Sequence, residues 1–130
     1  MKIYLASPLF TEYEKDQVRE VAAVLRRWGH DVYVPMEHQI PDAWRLPNAE
    51  WGKRVFEEDV KAIDECDCMY VLYYGLYSDS GTAWEQGYAY AKGKKITVLN
   101  KGNAVEVSLM IVNGQTHPAS IPQFENSYQT

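Results

Sequence analysis

One passage constrains this chain more than any other. Cys68-Met69-Tyr70-Val71-Leu72-Tyr73-Tyr74 is a mostly apolar run of strand length, and a short connection leads from it into Asp79-Ser80-Gly81-Thr82-Ala83-Trp84-Glu85-Gln86-Gly87-Tyr88. Trp84, Tyr88 and Ala91 recur at helical spacing, so the chain leaves a strand and enters a helix through a turn of small residues. In an open α/β sheet that junction lies at the carboxyl ends of the strands, where ligands bind. The helix start adds unpaired N–H groups and a partial positive charge. Thr82 and Glu85 fit a capping box, and on spacing alone capping outweighs catalysis for Glu85. If Glu85 does chemistry, the positive helix end keeps it ionised, which suits a nucleophile or electrostatic stabiliser better than a proton donor. Asp79 by itself reads as a turn residue.

The remaining chain repeats the alternation. Residues 2–6 form a short apolar strand that breaks at Ser7-Pro8. Thr11 opens a helix, with Glu14 completing a possible capping box, and Val18, Val21, Ala22, Leu25 and Trp28 trace one apolar stripe. Gly29 ends it, and residues 31–35 read as a second strand. The stretch around Pro35, Pro41 and Pro47 fits neither regular period; Trp44 and Trp51 around it argue either for an ordered lid or for plain packing. Asn48 is placed to cap a helix running to about residue 64, with Val55, Phe56, Val60 and Ile63 inward. Asp59 on that helix reads, from pattern alone, as a solvated surface acid. Gly93 then stops the 80s helix, residues 95–99 make a fourth strand, residues 105–112 a short helix, and residues 119–121 a possible fifth strand. Such alternation predicts an α/β fold: a flavodoxin-like, Rossmann-like three-layer sandwich around a four- to five-stranded parallel sheet.

Its 130 residues suggest a single domain spanning 1–130. The net charge of -5 carries no basic block, which argues against a nucleic acid polymer and for a small neutral or aromatic ligand. No apolar run approaches membrane-spanning length, and the first ten residues lack the apolar core of a signal peptide. Cys66 and Cys68 are the only cysteines, in a spacing that suits neither a zinc site nor a secreted disulfide framework, so a reducing cytoplasm is expected. His30, His38 and His117 lack metal-ligand spacing and read as structural or exposed. Neither a metal nor a cofactor is expected.

Four blocks, taken together and in order, resemble the nucleoside 2-deoxyribosyltransferase family almost from end to end. They are Ile3-Tyr4-Leu5-Ala6-Ser7-Pro8 followed by Phe10; Tyr33-Val34-Pro35-Met36-Glu37-His38-Gln39; Phe56-Glu57-Glu58-Asp59 with Asp64 and Asp67 beyond it; and residues 79–89. The resemblance implies a retaining exchange of 2-deoxyribose between nucleobases, with deoxynucleosides and free bases as substrates. It reverses the preference for capping at Glu85, which becomes the nucleophile, with Tyr4 holding and orienting it. Asp59 would exchange a proton with the base, which requires a raised pKa, and burial under the Trp44 and Trp51 loop would supply it. Gln39 would contact the base edge and Asp79 a sugar hydroxyl. The family also completes its site with a neighbouring subunit's residue just before a Leu-Met pair, here Leu109-Met110, which implies a homo-oligomer, dimer to hexamer, with shared sites. That preceding residue is Ser108 where the transferases carry Asn. Ser108 leans toward the related 2'-deoxynucleoside 5'-phosphate N-hydrolases, Asp79 leans away, and the backbone donors of Gly81 and Thr82 would suit a phosphate. A third reading is a non-catalytic nucleotide-sensing module in which Glu85 is only a helix cap.

Overall fold

Alternation along the first strand decides the layering. In β1 (Lys2–Ala6), Ile3 and Leu5 join an apolar cluster with Val18, Val21, Ala22 and Leu25 of α1 (Glu12–Arg27). Tyr4 and Ala6 join a second cluster with Ile63 of α2 (Asn48–Glu65) and Ala89 of α3 (Ser80–Ala91). Successive strand side chains point to opposite faces, so one sheet is covered by α1 on one side and by α2 and α3 on the other. The computed structural model describes residues 1–38, 47–75, 79–102 and 107–118. With β2 (Asp31–Tyr33), β3 (Cys68–Tyr73) and β4 (Lys95–Asn100), the strands run parallel in the order β2-β1-β3-β4. This is the expected flavodoxin-like three-layer architecture. The expected strand at 119–121 lies outside the described residues. Just before it, the N–H groups of Thr116 and His117 both donate to the Ile96 carbonyl at 2.9 Å, lining the outer edge of β4.

Local chemistry explains the element ends. At α1, Thr11 Oγ1 accepts from the Glu14 N–H at 3.1 Å while Glu14 Oε1 accepts from the Thr11 N–H at 2.9 Å, the reciprocal capping box read from the sequence. Gly29, at φ +89°, takes the left-handed turn that releases the chain into β2. Arg26 then binds Glu37 at 2.6 Å and the Val32 carbonyl at 2.9 Å, tying the short 3₁₀ turn Pro35–Glu37 beyond β2 to α1.

Several boundaries differ from the sequence reading. Helix α2 is capped by Pro47 without a side-chain bond, so Asn48 is its first helical residue and not its cap. Only Ile63 of its expected inward set is buried; Val55 and Val60 are half-buried and Phe56 is exposed, because this face borders a cavity and not the core. Helix α4 (Leu109–Asn113) starts later than residue 105, with Ser108 as its cap. Helix α3 starts earlier than expected: Asp79 is the cap, and Thr82 and Glu85 lie inside the helix and form no capping box. Its buried stripe is Thr82, Gln86 and Ala89, which turns Trp84 outward. Among the described residues, no helix is long and apolar enough to cross a membrane.

Candidate active site

Parallel pairing sets Tyr4 of β1 opposite Tyr33 of β2. Both side chains lie on the α2/α3 side of the sheet, with rings stacked at 5.4 Å and 15°. The Tyr4 hydroxyl donates to Glu85 Oε2 of α3. The Tyr33 hydroxyl donates to Asp59 Oδ1 of α2 at 3.4 Å, and His38 stacks on Tyr33 at 4.1 Å and 11°. Two strand tyrosines thus meet two helix carboxylates side by side, level with the carboxyl end of β2.

Both carboxylates border a cavity of about 910 Å³. Its apolar wall includes Met36, Trp51, Phe56 and Trp84, and Ser7, His38, Asp79 and Gly81 add polar edges. Phe56 meets Trp84 edge-on at 5.2 Å, and Trp84 stacks on Tyr88 at 5.4 Å, so the rim is a small aromatic platform. Flat aromatic surface beside paired carboxylates suits a nucleobase joined to a sugar.

Electrostatics correct one expectation. Glu85 was expected to stay ionised at a helix start, but α3 begins at Ser80, so Glu85 sits beyond the first turn where the dipole acts. Burial instead pushes its carboxyl up to about 7; the Tyr4 hydrogen bond pulls it down, and Asp59 and Asp79 push it up. Burial also raises Asp59 to about 6, the direction its proposed chemistry needs; Tyr33 and His38 pull it down and Glu58 pushes it up. Tyr33 is pushed up to about 12, chiefly by burial, and Tyr4 is also raised, first by burial and then by Glu85, so both hydroxyls remain protonated donors at neutral pH.

Other expected site residues fall into place unevenly. Asp79 lines the cavity, but its carboxylate is also occupied as the α3 cap: Oδ1 accepts from the Gly81 N–H at 3.2 Å, and Oδ2 accepts from the Thr82 N–H at 3.1 Å and Thr82 Oγ1 at 3.0 Å. The backbone donors of Gly81 and Thr82 are therefore not free for a phosphate while this cap holds. A Cβ at Gly81 would sit 3.2 Å from Asp79 Oδ2, so the glycine makes room for the cap. Ser108 does not line the cavity; it caps α4, and its N–H donates to the Tyr73 hydroxyl at 2.6 Å. Beside it, Leu109 and Met110 are 73% and 83% exposed. Gln39 and Trp44 lie outside the described residues. Tyr33, His38 and Trp84 were not singled out for the site by pattern; the strand read over 31–35 placed Tyr33 in its middle, whereas β2 ends at Tyr33.

Comparison with known proteins agrees with this fold. The chain resembles a 2-deoxyribosyltransferase from the psychrotolerant bacterium Bacillus psychrosaccharolyticus, at 32% identity and a TM-score of 0.85 over 99% of this chain and 93% of the other. Two more distant structures share the fold. One is a CMP N-glycosidase from Clostridium botulinum (22% identity, TM-score 0.64, 92% of this chain and 88% of the other). The other is a 2-deoxyribosyltransferase from Leishmania mexicana (20% identity, TM-score 0.60, 89% and 73%). Among curated proteins none matches the chain significantly. The profile describing nucleoside 2-deoxyribosyltransferases matches residues 3–117, so that the sheet, both carboxylate-bearing helices and the tyrosines beneath them all fall within one continuous match: the chain belongs to the nucleoside 2-deoxyribosyltransferase family.

Proposed function

We propose that this protein transfers 2-deoxyribose between nucleobases by a retaining double displacement. The observation that carries the reading is the Glu85 carboxylate, held by the Tyr4 hydroxyl at a cavity that Asp59 shares. Glu85, in its ionised form, attacks the anomeric carbon as the bond from that carbon to the base nitrogen breaks, and Asp59 gives its proton to the departing base. In the return step a second base attacks the same carbon, its proton passes to Asp59, and the Glu85 carboxylate leaves. Two inversions restore the configuration, as in retaining glycosidases. A 2-deoxy sugar lacks an electron-withdrawing hydroxyl, so its oxocarbenium-like centre forms more readily. Carboxyl groups poised near neutrality can occupy either protonation state at working pH, which this cycle demands of Asp59.

The favoured donor on this reading is an uncharged deoxynucleoside. A 5'-phosphate carries close to two negative charges, and a carboxylate such as Asp79 about 4 Å away opposes each by roughly 1 to 4 kcal/mol. The Gly81 and Thr82 donors that would offset this are already bound to Asp79. Asp79 is then left to meet a sugar hydroxyl, and Gln39 the base edge. Exposed Leu109 and Met110 suit burial against a second copy, which would bring Ser108 to a neighbouring site in a homo-oligomer. The two free cysteines are buried, which fits a reducing cytoplasm.

Incubation with thymidine and adenine tests the reading. The expected product is deoxyadenosine from the wild type and none from Glu85→Gln, with a 2-fluoro-2-deoxynucleoside leaving a glycosyl adduct on Glu85 by mass spectrometry. Free thymine without deoxyadenosine would mean an N-glycoside hydrolase, and no turnover of either a nucleoside or its 5'-monophosphate would mean a sensing module. A wild type that turns over deoxyadenosine monophosphate tenfold faster than deoxyadenosine would overturn the charge argument at Asp79.

A further inference from the structure

Asp59 lies among five groups that bear on its charge. Tyr33 comes from β2, His38 follows the turn beyond β2, Glu58 is its neighbour on α2, and Glu85 of α3 and Tyr4 of β1 approach from the adjoining pair. Tyr33 alone among them has a hydrogen bond to its carboxylate among the described residues. That tyrosine is also the middle member of a three-ring stack, 5.4 Å from Tyr4 and 4.1 Å from His38, with interplanar angles of 15° and 11°. A ring held against two neighbours has little freedom, so its hydroxyl is a fixed donor. The arrangement repeats, one strand across, what Tyr4 does for Glu85.

We propose that Tyr33 is the positioning residue for Asp59: its stacked ring fixes where the hydroxyl points, and that hydroxyl holds the carboxylate at the cavity and favours its ionised form. This inference rests on the transfer reading for its purpose. In that cycle Asp59 must both give a proton to the departing base and take one from the arriving base. Burial alone would leave it protonated and slow to accept. A donor hydrogen bond opposes burial and brings the group toward the middle of the working range, where both steps run. The contact is long at 3.4 Å; bonds of this kind commonly tighten once substrate excludes water. His38 has a part here that its isolated place in the sequence did not suggest, because it backs the ring that makes the bond.

Tyr33→Phe keeps the ring and removes the donor. With aspartate carboxyls labelled with carbon-13, Asp59 is assigned as the resonance lost in Asp59→Asn. In Tyr33→Phe its titration midpoint should then move upward by about half to one pH unit. Placing 3,5-difluorotyrosine at position 33 strengthens the donor and should move it downward. An unmoved midpoint in both proteins overturns the proposal, and neither measurement requires turnover, so a failure of the transferase reading would be seen separately in the wild-type exchange assay. Where exchange does occur, Asp59 acts in its protonated form on the departing base. The alkaline limb of kcat/KM with a natural base should therefore shift upward in Tyr33→Phe, while a donor whose leaving group needs no proton shows no shift. A purely packing role for Tyr33 predicts identical limbs for wild type and variant.

Discussion

Burial holds Glu85 at the edge of ionisation, and this has a thermodynamic side. The folded carboxyl titrates at about 7 against an ordinary value of 4.5, so between those limits the native state keeps a proton that the unfolded chain releases. A raised carboxyl contributes stability that is complete below the unfolded value and is lost as pH rises through the folded one. Asp59, raised to about 6, acts in the same sense over a lower window. Glu85→Gln replaces the titrating group with a neutral one of nearly the same shape, and since Asp79 caps α3 no helix cap is lost. The variant should therefore be more stable than wild type by about 1 to 3 kcal/mol at pH 8, with the gap closing toward pH 4.5. Urea melts of both proteins at the two pH values measure this; a variant less stable than wild type at pH 8 would show that the Tyr4 bond outweighs the cost of burying the charge.

At the scale of elements, α3 is the piece on which the site is mounted, and its start is set by Asp79. That single carboxylate accepts from two backbone N–H groups and one hydroxyl. Asp79→Ala should cost about 1 kcal/mol, a drop in Tm of roughly 3 to 6 °C for a chain of this size, whereas Asp79→Asn, also a good cap, should stay within about a degree of wild type. Equal melting temperatures for the Ala variant and wild type would mean that α3 draws its start from packing alone. This helix also marks where sequence reasoning stopped. Strand β1 and the capping box of α1 were legible because each is set by neighbours in the chain: an apolar run ended by Ser7-Pro8, a Thr and a Glu at fixed spacing. Thr82-x-x-Glu85 matched the same capping pattern, yet Asp79 is a stronger cap, and Thr82 packs into the core once the helix starts earlier. Trp84 recurs with Tyr88 and Ala91 at helical spacing, and it faces the cavity rim because the sheet takes the Gln86 and Ala89 face. Tyr33 and His38 were hidden for another reason. Their roles come from contacts with β1 and α2, which no local spacing encodes.

For the whole molecule, the carboxylates and the tyrosines bonded to them come from four elements, β1, β2, α2 and α3, and each pair joins a strand to a helix. The Tyr4–Glu85 bond joins residues 81 positions apart, and the Tyr33–Asp59 bond joins residues 26 apart. Contacts of such separation form late, since the chain entropy of closing long loops is lost before the contact returns anything. Refolding should therefore show helical circular dichroism recovering ahead of the proposed transfer activity, with activity returning only in the slowest phase that also protects the β1 and β3 amides from hydrogen exchange. Activity that reappears with the helical signal would contradict this. The same separation ties the proposed chemistry to the first strand: until β1 has found its place inside the sheet, Glu85 has no Tyr4 hydroxyl to hold it, so on this reading a fragment that lacks β1 would be inert.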